Sequence, residues 1–279
     1  MTLPFPHPPP PQPTAGPLLG RVLRQTLDAC RQDIAAFRKA PGGVRDKPSV
    51  HGGREPVTDL DLTLQDRLTA VLARAYPGTA VIAEEGLAAI PQLPDDCLLV
   101  DPLDGTAALL AGSSEFAIAV CLVRRGLPAE GVIDLPAYGT RITAAPGLLH
   151  VTGDLTRLPL HAPDTLLTSP RHADTARTLL SGTGWSPQPV ATASVKMSLV
   201  ALGRAPAAIY LPKPGGGAAP WDYPAAALAL AAAGGTVHDT AGRDLARTRP
   251  ARLDGWLATL DRPHAALTAL LRPPTPADR

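Results

Sequence analysis

Apolar positions recur along this chain with two different periods. Over residues 17–40, Leu19, Val22, Leu23, Leu27, Ile34 and Phe37 follow helical spacing. From Asp61 to Tyr76, Leu62, Leu64, Leu68, Val71 and Leu72 do so again, and Pro77-Gly78 ends the run. The stretch between, residues 41–56, mixes Gly, Pro and both charge signs and reads as a loop. Short apolar runs follow at Ala80–Ala83, Cys97–Val100, Phe116–Val123, Gly131–Leu135, Ile142–Ala145 and Leu148–Val151, with a turn at 126–128. They predict a first, largely antiparallel sheet flanked by the two helices.

The second half alternates. Strands are expected at Thr165–Ser169, Val190, Ala207–Leu211 and Thr236–His238. Helices are expected at Ala173–Leu180, Val195–Leu202, Pro224–Ala233 (stopped by Gly234-Gly235) and His264–Leu271, with a loop over 212–220. Such alternation predicts an α/β layer. The expected organisation is a proline-rich arm over 1–15, disordered or polyproline II, then an α+β half over 16–151 and an α/β half over 152–279.

Composition narrows the class mainly by exclusion. A formal net charge of +1 provides no global field for a nucleic acid polymer or a membrane surface. No run approaches the ~18 apolar residues of a membrane span. The first seven residues lack the basic and apolar regions of a signal peptide. Three cysteines, Cys30, Cys97 and Cys121, show no C-x-x-C pairing, which argues against a disulfide framework or zinc site and suits a reducing cytoplasm.

The chemistry sits at element ends. Leu98-Leu99-Val100 feeds Asp101-Pro102-Leu103-Asp104-Gly105-Thr106, which is two carboxylates, a turn glycine and a hydroxyl at a strand end. Buried like charges need a counter-cation. Three further acidic clusters, Asp59/Asp61, Glu84-Glu85 and Asp222 after Trp221, also fall at element boundaries. Mg²⁺ takes oxygen ligands, and two such ions about 3.5–4 Å apart clamp the attacking and leaving oxygens of a phosphoryl transfer.

In this order the motifs resemble the inositol monophosphatase family, the lithium-sensitive, magnesium-dependent phosphatases, from about residue 17 onward. The resemblance implies an α/β (α+β layered) sugar-phosphatase fold, with alternating α-β-α-β-α layers and two sheets. Carried over by motif, it implies that Glu84, Asp101 and the Leu103 carbonyl hold one Mg²⁺. Asp101, Asp104 and Asp222 hold a second, and Glu84 touches a looser third. It further implies that Thr106 and Asp61 position the water and that Gly105 and Thr106 grip the phosphate. Glu85 falls behind these ligands. A homodimer is expected by analogy alone.

Ser114–Ile118, Thr168–His172 and Ser194-Val195-Lys196 are similar to segments of the CysQ-type 3'(2'),5'-bisphosphate nucleotidase branch. Arg171, His172, Ser194, Lys196, Lys213 and Asp222 are therefore the expected substrate contacts, the lysines and the arginine for a second phosphate. The partner is thus a small phosphorylated metabolite, either a nucleotide bisphosphate or an inositol or other sugar phosphate. A ligand-binding protein with weakened turnover is the reading from another class. The branch's Lys-x-Asp-x-Ser-Pro run is replaced by His51–Pro56, so its lysine and aspartate are missing there. Ala107-Ala108-Leu109 and Tyr223–Ala226 also depart from the branch pattern.

Overall fold

A computed structural model describes residues 18–48, 53–87, 89, 92–211, 217–250, 253–261 and 265–271. The proline-rich arm, His51 and Lys213 lie outside them. The first apolar stripe forms α1 (Leu18–Lys39), which buries Leu19, Leu23, Leu27, Cys30 and Ile34. The second forms α2 (Asp59–Ala75), two residues earlier than the spacing predicts, because Thr58 caps it. The buried row on α2 runs Leu60, Leu64, Leu68, Leu72 and faces α1. Leu62, one of the apolar positions of the helical run, is exposed.

Residues 41–56 are not simply a loop. They contain a hairpin of β1 (Arg45–Pro48) and β2 (Arg54–Val57), with Lys47 opposite Glu55. Charge and proline hide it, since such residues are poor strand formers.

The expected first sheet has six strands in chain order: β3 (Ala80–Ala83), β4 (Cys97–Asp104), β5 (Ala117–Arg124), β6 (Leu127–Leu135), β7 (Thr140–Ala145) and β8 (Leu148–Thr152). Only β3 and β4 run parallel. A five-residue helix, α3 (Thr106–Leu110), follows β4. The second sheet contains β9 (Thr165–Thr168), β10 (Ser186–Pro189), β11 (Ala207–Tyr210), β12 (Thr236–Asp239) and β13 (Trp256–Thr259), in the order β10-β9-β11-β13-β12. β10 ends one residue before the predicted Val190, and β13 has no counterpart in the sequence reading. The helices of this half are α4 (Ala173–Leu179), α5 (Ala193–Ala201), α6 (Pro224–Ala232) and α7 (Ala265–Ala269).

The layers alternate as expected. α1 and α2 cover one face of the six-stranded sheet. α5 and α6 lie between the two sheets in one continuous core that includes Ile133, Leu135, Leu228 and Trp256. α4 and α7 cover the far face of the second sheet. α6 is apolar on every side, which is what a helix between two sheets requires. Its approach to β6 depends on Gly131, where a Cβ would stand 3.0 Å from the Ala225 backbone. Cys30, Cys97 and Cys121 are buried and free. Among the described residues no helix is long and apolar enough to cross a membrane.

Candidate active site

β4 carries its two acids into an irregularity. Its pairing with β5 is regular to Asp101↔Ala119, shifts, and resumes at Asp104↔Ala117. Pro102 has no N–H for the ladder, so the strand bends between the two carboxylates. Asp101 is buried, and its Oδ1 accepts the Leu103 N–H at 3.1 Å. Gly105 then turns the chain into α3 at φ +105, where a Cβ would lie 2.5 Å from Thr192 Cγ2 and 2.9 Å from the Glu115 carbonyl.

Asp61 arrives from the first turn of α2. Its Oδ2 accepts the Thr58 N–H at 2.8 Å and its own N–H donates to Thr58 Oγ1 at 3.4 Å, which closes a capping box, and Oδ2 also accepts the Thr58 hydroxyl at 2.5 Å. That leaves Oδ1 to accept the Thr106 hydroxyl at 2.5 Å, with the Leu103 carbonyl 3.3 Å from the same hydroxyl. Buried as it is, Asp61 is not an exposed helix residue.

Glu84 and Glu85 end β3. Gln65 lies one helical turn beyond Asp61 on α2. Its amide donates to the Glu85 carbonyl at 3.0 Å and accepts the Glu85 N–H at 2.8 Å. Lys47 Nζ stands 2.7 Å from Glu84 Oε1, 2.7 Å from Glu85 Oε1 and 3.6 Å from Glu55 Oε1. The hairpin therefore brings a lysine and an acid to Glu84 and Glu85 from Lys47 and Glu55, while His51 and Gly53 still stand where the branch has its lysine and aspartate. Burial opposes charge on Lys47, but the two carboxylates hold its pKa above the ordinary lysine value. Burial, then the neighbouring Glu84, pushes Glu85 up to about 7.

Asp222 lies just before α6 without capping it, since the cap is Tyr223. Its Oδ2 accepts the Ala219 N–H at 2.7 Å. Asp104 Oδ2 accepts the Ser194 N–H at 2.9 Å, at the start of α5.

Glu84, Asp101, Asp104 and Asp222 line one cavity of about 180 Å³ together with Leu103, Gly105 and Thr106. Burial, and for Asp101 and Asp222 the repulsion of the other acids, raises all four carboxyls above the usual range. A set of buried oxygens short of positive charge is the donor chemistry of a hard divalent cation. Among the described residues, no three His, Cys, Asp or Glu side chains are already drawn into a coordination sphere. Each carboxylate keeps one oxygen on a backbone N–H or on Lys47, and the Glu84 and Asp101 carboxyls are themselves joined by a hydrogen bond.

A second cavity, of about 140 Å³, adjoins the first, and Asp104 and Asp222 line both. Ser169, Arg171, Thr192, Lys196 and Tyr210 line it as well. Lys196 is 1% exposed. Its Nζ lies 2.8 Å from Ser169 Oγ, 3.3 Å from the Val190 carbonyl and 5.7 Å from the centre of the Trp256 ring. None of these is a carboxylate, and burial lowers its pKa to about 7.

Of the expected substrate contacts, Arg171 and Lys196 reach this cavity. Ser194 is fully buried and holds Asp104 instead, and its hydroxyl lies 3.4 Å from the Asp222 carbonyl. His172 packs edge-on against Tyr210 rather than lining the cavity. Lys47, Glu55, Gln65, Thr58 and Tyr210 are absent from the sequence reading. Only Thr58 had a local signal, a threonine three residues before an acid at a helix start.

The inositol monophosphatase family model matches residues 22–272. The chain belongs to that family. The 3'(2'),5'-bisphosphate nucleotidase CysQ of Salmonella typhimurium is 30% identical over 234 residues, covering 80% of this chain and 93% of the relative. The inositol-1-monophosphatase of Mesorhizobium japonicum is 34% identical over 99 residues, covering 36% of this chain and 37% of the relative. The histidinol-phosphatase of Mycobacterium tuberculosis is likewise matched over only 35% of its length. Among solved structures, the Thermotoga maritima IMPase superimposes with a TM-score of 0.71 at 19% identity, covering 88% of this chain and 94% of that one. The family fold is thus present almost throughout.

Proposed function

We propose that this protein is a Mg²⁺-dependent phosphomonoesterase that removes one phosphate from a bisphosphorylated nucleotide such as 3'-phosphoadenosine 5'-phosphate. The observation that carries the reading is Lys196, a buried lysine hydrogen-bonded only to Ser169 and the Val190 carbonyl and in no ion pair among the described residues, in a cavity that shares Asp104 and Asp222 with the acidic one. A buried cation of this kind calls for an anion. The acidic cavity accounts for the phosphate that is cleaved, and Lys196 with Arg171 accounts for the one that is kept.

Glu84, Asp101, Asp104, Asp222 and the Leu103 carbonyl would hold the metal. When bound, Mg²⁺ supplies Lewis-acid charge to the phosphoryl oxygens and the attacking water. The chain's own part is positional. Thr106 donates its proton to Asp61 Oδ1, so the lone pairs of its oxygen face outward and accept a hydrogen bond from water. The N–H groups of Gly105 and Thr106 are the donors for phosphate oxygens. Water adds its oxygen to phosphorus, the P–O ester bond breaks, and the leaving oxygen takes a proton. The products are the nucleoside monophosphate and inorganic phosphate.

The test is phosphate release with Mg²⁺ from the bisphosphorylated nucleotide and from inositol 1-phosphate. A clear preference for the nucleotide is expected. Preference for inositol 1-phosphate would transfer the reading to a sugar monophosphate phosphatase. Binding without release at any Mg²⁺ concentration would leave a ligand-binding protein.

A further inference from the structure

The two cations of the second cavity come from different elements, yet two aromatic rings tie them together. Tyr210 ends β11, and Trp256 begins β13. The two are direct register partners across the antiparallel pair. Their rings lie 6.5 Å apart with an interplanar angle of 22°. Each ring carries one cation: the Arg171 guanidinium lies 5.2 Å from the Tyr210 centroid, and Lys196 Nζ lies 5.7 Å from the Trp256 centroid. Both distances are within the roughly 6 Å reach of a cation–π contact. Arg171 also donates to the Tyr210 hydroxyl at 2.7 Å.

We propose that Tyr210 and Trp256 are specificity-determining positioning residues, which set the spacing of Arg171 and Lys196 for a second phosphate. The inference rests on the proposed bisphosphate substrate. Arg171 is an exposed side chain on a short turn after β9 and has many rotamers. A bidentate phosphate contact requires one of them to be held. The Tyr210 ring and hydroxyl hold it from two directions. Lys196 is held by Ser169, the Val190 carbonyl and the Trp256 face, none of which carries a negative charge, and the Asp104 and Glu115 carboxylates act on it without forming an ion pair. An aromatic face attracts an ammonium without neutralising it, as a carboxylate would. The charge therefore remains available to a ligand while its position is fixed. The pair is built into the sheet register, so the spacing of the cations does not depend on the ligand.

The test compares kcat/KM for the bisphosphorylated nucleotide and for inositol 1-phosphate in wild type, Tyr210→Phe, Tyr210→Leu, Trp256→Phe and Trp256→Leu. Tyr210→Phe keeps the ring and loses the hydroxyl, so the ratio of the two values should fall about threefold to tenfold through KM for the nucleotide. Tyr210→Leu removes both contacts and should lower the ratio further. Trp256→Phe retains a smaller ring beneath Lys196 and should lower the ratio less than Trp256→Leu, which removes the ring. The thermal midpoint serves as the folding control, and turnover of inositol 1-phosphate should fall less than that of the nucleotide. Equal losses on both substrates, or an unchanged ratio in Tyr210→Leu, would overturn the proposal. A wild-type enzyme with no preference for the nucleotide would instead overturn the function proposed above.

Discussion

The Thr106 hydroxyl donates to Asp61 Oδ1 at 2.5 Å, which joins the turn after β4 to the first turn of α2. The contact is directional because the capping box already occupies Asp61 Oδ2. Loss of the hydroxyl would remove the group proposed to orient water. Thr106→Ala should lower kcat by about 10²–10⁴-fold, the range of a general acid–base contribution, with little change in KM. Thr106→Ser should recover most of the rate, as steady-state kinetics at saturating Mg²⁺ would show.

Asp104→Asn should abolish turnover and leave the fold intact. An asparagine oxygen can still accept the Ser194 N–H that Asp104 accepts at 2.9 Å. One negative charge leaves a crowded cavity, so the thermal midpoint in chelator should hold or rise. Near-normal activity in this variant would refute the metal assignment.

Lys47→Met leaves Glu84 and Glu85 without their cation. Breaking a buried pair costs about 3 kcal/mol. The loss should depend on pH. Glu85 has its folded pKa raised to about 7, by burial and then Glu84, so the folded state binds more protons than the unfolded chain between the ordinary carboxylate range and that value. Stability from this group is full at acid pH and declines as pH rises through 7. Urea unfolding in chelator should therefore show a larger deficit for the variant at pH 8 than at pH 5.

Lys196 has the opposite dependence. Burial lowers its pKa to about 7, whereas the unfolded lysine titrates near its ordinary value of 10.5. Between the two, the unfolded chain binds the extra proton, so stability rises with pH by up to about 1.4 kcal/mol per unit. Lys196→Met should flatten that slope and raise stability at pH 7 and below. It should also cost more with the bisphosphorylated nucleotide than with inositol 1-phosphate. Equal losses would refute the role in binding a second phosphate.

Mg²⁺ should stabilise the protein by mass action. At one hundred times its Kd the gain is about 2.7 kcal/mol, several degrees in thermal midpoint for a domain of this size. Asp101→Asn should remove most of that shift in a thermal melt without substrate.

The acids of the first cavity were legible in the linear sequence because they are local. Asp101, Leu103, Asp104, Gly105 and Thr106 share one strand end, and their spacing carries the chemistry directly. Glu84 and Asp222 follow apolar segments that end at the same cavity. The layered helices and sheets were legible for a related reason, since burial of one face imposes a period on the residues that form it. The hairpin was not, because Arg45-Asp46-Lys47-Pro48 pairs through backbone hydrogen bonds that leave no apolar trace. Ser194 shows the complementary limit: the resemblance of its segment suggested a substrate contact, and only the structure showed that its backbone N–H holds Asp104.

The sequence by itself determined the family, the order of the acidic motifs and the alternation of layers, because each is written in neighbouring residues. Only the tertiary structure decided that Lys47 meets Glu84 and Glu85, that Gln65 clamps the Glu85 backbone, and that Tyr210 faces Trp256 beneath two cations. These pairings join residues far apart in the chain. Strand register and helix packing bring them together, and neither is encoded in local spacing.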